Sequence, residues 1–291
     1  MVTVELPVDQ RGVMVRGVGV ILLASLLFGT MAVCVRVAAA AVPASQIAFV
    51  RFGGSLLVLL AWTRGQGLRP RVASTGRLLL RGLLGAVSIM LYYFGIQEAG
   101  AGLATLLDCT YPIFTALWAS LLMGETLSGR VGVALILNII GVSVVLGTRG
   151  ETGPHVTLGA LSSLAAAVLA GGAVATARHL RTTENAALIT TYFMAVGTAL
   201  SAPALSLGIP HLSSSVVVAL GLVVLTSVAG QWLLHHGLGF TSATQGSLAA
   251  ATSVLTAAAL EAALLGGQLS GGAVIGACLM IVAVGLAVGR A

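Results

Sequence analysis

Leu121–Gly129 reads LLMGETLSG and Leu264–Gly271 reads LLGGQLSG, and each stands directly before a fresh apolar run. Gly124 and Gly266, Leu127 and Leu269, and Ser128 and Ser270 are all separated by the same 142 residues. The acid of the first copy, Glu125, is replaced by Gly267 in the second. The offset holds far from this motif. Gly17, Gly29 and Arg36 match Gly159, Gly171 and Arg178, and Gly95, Ala101 and Leu106 match Gly237, Ala243 and Leu248. No gap is needed anywhere, so the chain is an internal duplication over most of its length.

Composition says where the duplicated unit lives. Of the 291 residues, 58% are hydrophobic and 8% charged, against about 25% charged in ordinary soluble domains. The mean hydropathy is +1.07. Too few charges exist to cover a water-exposed surface, so lipid is the solvent. The net charge of +6 does not mark a nucleic-acid binder, because no separate polar domain carries a basic patch. All the basic residues are arginine. Cys34, Cys109 and Cys278 fall inside apolar runs with no metal-ligand spacing, and neither a disulfide nor a bound metal is expected. The first apolar run exceeds a signal-peptide core in length and is expected to be retained as a span.

A bilayer core takes about 20 apolar residues as a helix. Breaks at Pro, Gly and charged clusters predict ten spans at 17–39, 44–63, 78–98, 103–123, 131–148, 157–179, 186–207, 216–238, 245–265 and 272–289. With the N-terminus inside, eleven of the 14 arginines (Arg11, Arg16, Arg64, Arg69, Arg71, Arg77, Arg81, Arg130, Arg178, Arg181 and Arg290) fall on the cytoplasmic side. Both termini are therefore expected in the cytoplasm of a multi-pass protein of the inner (plasma) membrane.

Each repeat, 12–148 and 154–289, holds five spans. Five is odd, so the second copy enters the membrane upside down relative to the first. Inverted repeats place a binding site at their interface near the bilayer midplane and allow rocking of one half on the other. The expected fold is an all-α integral membrane protein, ten transmembrane helices in two inverted five-helix repeats around a central cavity.

Particular residues then resemble a known family. Phe28-Gly29, Arg51-Phe52, the stretch from Tyr92 through Gly95 and Ala101 to Tyr111-Pro112-Ile113-Phe114, Gly124-Glu125 and Gly141-Val142 are similar to the drug/metabolite transporter superfamily and its EamA-type ten-helix exporters. The second half departs from the pattern, with Val254 in place of a proline and Gly267 in place of an acid. The resemblance implies a cavity lined mainly by spans 1, 3, 4, 6, 8 and 9, and export of amino acids (aromatic ones among them), metabolites or drugs.

Charged groups inside spans cost about 2.5–3.5 kcal/mol each at the helix centre and need a partner or water. Arg51 is expected either to pair with Asp108 or Glu261 as a gate or to snorkel separately. Tyr92, Tyr93, Tyr111 and Trp118 suit an amphipathic substrate through ring contacts with a polar tip, or else belong to helix packing and the interfacial belt. Gln231, with Gln46, Asn138 and Gln245, is expected to bond either substrate or a neighbouring helix. His235 and His236 end span 8 as a proton relay or as a polar terminus. Glu125 is expected near the N-terminus of span 5, where Thr126 and Ser128 can cap. Pro112 is expected to kink span 4.

Other classes fare less well. HExxH, GxSxG and comparable catalytic sets do not occur, so no catalytic residue is assigned. A membrane-embedded enzyme and a channel-like facilitator are the alternatives. Without lysine there is no GxxxxGK[ST] loop, so no nucleotide cofactor is implied. The expected partners are a small-molecule substrate and the bilayer, for a monomer or weak dimer.

Overall fold

In lipid every backbone N–H and C=O must be satisfied within the chain, so apolar stretches of this length fold as helices. The computed structural model describes residues 10–65, 72–125, 128–146, 154–208, 212–264 and 271–288. Its helices are α1 (Gln10–Ala38), α2 (Ala44–Gly65), α3 (Thr75–Asp108), α4 (Tyr111–Met123), α5 (Gly129–Leu146), α6 (Pro154–Leu180), α7 (Ala186–Ser201), α8 (Ser214–Gly237), α9 (Ala243–Ala251), α10 (Ser253–Leu264) and α11 (Gly271–Val288). A 3-10 turn over Ala202–Leu207 extends α7. Among the described residues seven stretches are long and apolar enough to cross a membrane, with α9 and α10 counted as one. Three shorter apolar helices (Tyr111–Met123, Gly129–Val144 and Val274–Ala287) complete the ten spans.

α3 contains span 3 and the first part of span 4. In a straight helix Tyr92 and Thr105 would lie about 20 Å apart at 1.5 Å per residue. Their hydroxyls are 2.8 Å apart, so the chain reverses between them. α6 gives the same result. Ser88 donates to the Ala166 carbonyl and Ser162 to that of Leu91, an antiparallel register. Beyond the reversal, Ala99 lies against Gly159 and Phe114 against Gly171, a parallel register. α6 is thus wedged along a hairpin of spans 3 and 4.

The second half repeats this arrangement around α1. A Cβ on Gly159 would meet Glu98 and Ala99, and one on Gly17 would meet Phe240 and Thr241, which are residues 98 and 99 plus the offset. A Cβ on Gly171 would fall 2.6 Å from the Thr115 nitrogen, and one on Gly29 would fall 2.8 Å from that of Ala257. Because the helices touch backbone to backbone there, only glycine fits. α5 packs on α11 and α2 on α7, each pair related to itself by the same exchange. Small residues therefore set the close crossings within both helix bundles.

Both fourth spans are broken. α3 ends at Asp108, Cys109 and Thr110 form a turn, and α4 resumes with Pro112 in its first turn. The equivalent break falls at Thr252, between α9 and α10. Val254 stands where the first half has its proline, yet the span still breaks. There the Thr252 hydroxyl donates to the Ala249 carbonyl and also meets Ser25 Oγ at 2.9 Å, ties that take over the bonding lost at the break.

Candidate functional site

Polar side chains in the bundle gather between α2, α3, α7 and α8. Arg51 and Arg81 are 4% and 3% exposed and His235 is 0% exposed. Arg51, from α2, donates through Nε to Ser227 Oγ at 3.1 Å and through Nη1 to the Tyr93 hydroxyl at 3.4 Å. Arg81, from α3, donates through Nη2 to His235 Nε2 at 2.9 Å, with Gln231 Oε1 at 3.5 Å. Helical spacing explains the convergence: Ser227, Gln231 and His235 recur every four residues on one face of α8.

The cluster draws on both repeats. Tyr93 and His235 occupy equivalent positions, as do Arg51 and Phe193, and Gly85 and Ser227. Phe193 stacks beneath Arg81, 4.3 Å from its guanidinium carbon, and Arg51 lies 5.5 Å from the Phe52 ring. Phe52 and Phe193 meet edge to face at 5.3 Å, so each cation contacts one ring of an aromatic pair. Such ring faces attract guanidinium groups.

The bonds of His235 fix its tautomer. The Thr190 hydroxyl donates to the Ala186 carbonyl at 2.7 Å and so accepts from Nδ1, 2.8 Å away. Nε2 is left with its lone pair and receives the Arg81 N–H. The ring is therefore neutral, with its proton on Nδ1.

The expected residues separate into groups. Arg51, Tyr93, Gln231 and His235 come together. Arg51 does not meet Asp108 among the described residues; its hydrogen bonds go to Ser227 and Tyr93 instead. The Glu261 side chain lies outside the described residues, and its helix, α10, packs against α1 and α5. Tyr92, Asp108 and Tyr111 lie beside the break in span 4, with the Tyr111 hydroxyl donating to the Ser247 carbonyl at 2.9 Å. Trp118 Nε1 donates to the Val168 carbonyl at 3.1 Å, with its ring over Gly172, a packing role on α6. His236 parts from His235 and stacks on Trp232 at 5.4 Å, within a series that runs from Trp62 to Phe240. Gln46 ties α2 to the Gly208 carbonyl at 2.6 Å, Gln245 binds that of Ala287 at 2.8 Å, and Asn138 is buried in α5.

Arg81 is a correction to the sequence reading. Its place among the eleven arginines of the cytoplasmic side predicts an outward-reaching group, but it points into the bundle. Ser227 and Thr190 were not singled out at all. Spans 2 and 7 also enter the cluster through Arg51, Thr190 and Phe193, whereas the resemblance implied spans 1, 3, 4, 6, 8 and 9.

Carboxylates at the arginine-rich end hold helix termini across the repeats. Glu184, in the second half, accepts from the Ala73 and Ser74 N–H groups at 2.8 and 2.9 Å and so caps α3. Glu125, in the first half, accepts from the Ala243 N–H at 3.4 Å and so caps α9, not span 5 as expected. Burial holds the Glu125 carboxyl above its usual range, against the opposing pulls of that N–H and of Arg178. Ser128 does cap α5, accepting from the Val131 N–H at 3.4 Å.

Ten membrane spans in paired five-helix halves, with a buried cationic cluster shared between the halves, define a multi-pass membrane protein of the inverted-repeat class. The profile of the EamA-like transporter family matches residues 15–147 and again residues 157–289. The chain belongs to that family, within the drug/metabolite transporter superfamily, whose members are transporters and not enzymes. It is 29% identical to the pseudopaline exporter of Pseudomonas aeruginosa over 187 residues, 64% of this chain and 65% of the relative. An uncharacterized transporter of Helicobacter pylori is 26% identical over 239 residues, 78% of this chain and 79% of that one. A crystal structure superposes with a TM-score of 0.80 at 19% identity, over 94% of this chain and 96% of the other, which establishes the shared fold.

Proposed function

We propose that the protein exports small amphipathic metabolites, amino acids included, by alternating access. The repeats 12–148 and 154–289 would be the moving halves, acting in a monomer or weak dimer in the inner membrane with both termini cytoplasmic. The supporting observation is the shared cluster: Arg51, Tyr93 and Arg81 come from the first half, and Ser227, Gln231 and His235 from the second. A site built from both halves changes shape when they rock, which is what a carrier needs. The cluster is packed shut, so loading requires α3 and α8 to part. A relative named as an exporter supports the direction of transport.

Purified protein in proteoliposomes, tested with a panel of amino acids and related metabolites, with and without a pH gradient, checks this reading. Aromatic and branched amino acids belong in the panel. Saturable uptake stimulated by counter-substrate is expected. Unsaturable conductance would indicate a channel, and no movement of any amino acid would remove them as cargo. His235 bears on proton coupling. A second proton would turn the lone pair that accepts from Arg81 into a donor, so any proton-coupled cycle through His235 must also displace Arg81.

A further inference from the structure

We infer that Arg51 and Arg81 form an oxyanion site and that the transported compound presents a carboxylate, or an equivalent oxyanion, to Arg81. This rests on the reading of the cluster as the substrate site and specifies what that site takes.

Charge is the first argument. Both guanidinium groups are buried, and arginine does not surrender its proton in proteins. Among the described residues their bonded partners are all neutral: Ser227, Tyr93, Gln231 and neutral His235. Among the described residues no carboxylate lies within ion-pair distance of either. Two cations with no carboxylate partner among the described residues are costly in a low-dielectric interior unless an anion joins them.

The open donors of Arg81 are the second argument. Its Nη2 is used, but Nε and Nη1 are buried without a hydrogen-bond partner. A buried donor left unsatisfied costs more than a made bond returns, so these atoms call for a partner that the described residues do not supply. Glycine at position 85 leaves room for that end of the side chain, since a Cβ there would fall 2.2 Å from Nη1. The Phe52–Phe193 pair beside it offers an apolar wall. Acid head and apolar body are thus both provided for.

Thermal unfolding of the purified full-length protein in detergent tests this with benzoate and with benzamide, its neutral analogue of the same shape. Inorganic phosphate and the lipid phosphatidylglycerol are the further probes. Benzoate is expected to raise the midpoint and benzamide to leave it unchanged; protection by phosphate also supports the site. Arg81→Gln is expected to weaken benzoate binding at least about tenfold, with partial recovery in Arg81→Lys. Gly85→Ala, which crowds Nη1, is expected to weaken it as well and serves if Arg81→Gln does not fold. Equal protection by benzoate and benzamide, protection by neither, protection by phosphatidylglycerol alone, or benzoate binding that survives both substitutions overturns the inference. Charge-selective binding without transport of any panel compound would sink the carrier reading and leave the site standing. Transport of neutral compounds without charge-selective binding would do the reverse.

Discussion

His235 and Arg81 show how one buried pair ties recognition to stability. Among the described residues the imidazole gives Arg81 its only well-placed acceptor, at 2.9 Å, and Thr190 holds the ring in the tautomer that can accept. His235→Leu would leave a buried guanidinium with one fewer partner and is expected to cost about 3 kcal/mol. That cost would appear as a lower unfolding midpoint in detergent. Replacing both partners, as in Arg81→Met with His235→Leu, removes the charge along with its acceptor. The double variant is expected to regain most of the lost stability while losing benzoate binding. If it is no more stable than His235→Leu alone, the pair is not the coupled unit described. Part of this site was legible beforehand, because Arg51, Tyr93, Gln231 and His235 stand out as polar groups in apolar runs. Arg81 was not. It lies only seven residues after Ser74, and an arginine so near a span's end reads equally well as a headgroup anchor. The sequence signal that separates the two is its face: Arg81, Gly85, Ser88 and Tyr92 share one side of α3.

At the scale of elements, the constant offset pairs glycines that turn out to control helix approach. Gly17, Gly29, Gly159 and Gly171 recur in the structure as paired crossing points. Gly171→Ala would drive its Cβ to 2.6 Å from the Phe114–Thr115 peptide, which is backbone and cannot swing aside. Gly29→Ala meets the Ser253 carbonyl and the Ala257 nitrogen in the same way. Each is expected to destabilise by at least about 2 kcal/mol, since overpacking typically costs 1–3 kcal/mol and backbone gives least. Gly221, in the middle of α8, has nothing within 4 Å of the added atom. Gly221→Ala should be neutral or stabilising by up to about 1 kcal/mol through helix propensity. Equal midpoints for all three variants would contradict the crossing geometry. The span breaks were only half legible. Pro112 announced a kink in span 4, but Thr252 breaks span 9 without a proline, through hydroxyl bonds that no spacing pattern encodes. The reversal inside α3 was anticipated by span length, although helical bonding runs through it with little interruption.

For the whole molecule, the two ends differ in how they are held. At the arginine-rich end Glu184 caps α3 and Glu125 caps α9, each carboxylate reaching from one half into the other. Neither role could be read from sequence, because a single acid in a short loop does not reveal which helix terminus the fold brings to it. Glu184→Gln keeps an oxygen acceptor but loses the charge that strengthens both bonds and favours the positive end of the helix dipole. It should cost about 1–2 kcal/mol and, by loosening the contact between halves, alter the rate of counterflow. The location of this end follows from the arginine distribution, which predicts that it faces the cytoplasm. Thr182 is exposed there, and Ala40 is exposed in the turn after α1 at the opposite end. In a background with the exposed Cys278 replaced by serine, Thr182→Cys should react with a membrane-impermeant maleimide in inverted vesicles and stay protected in intact spheroplasts. Ala40→Cys should show the reverse pattern. Labelling of Thr182→Cys from outside would turn the protein over in the membrane, place the carboxylate caps on the outer face, and require that the cluster be loaded from the other side.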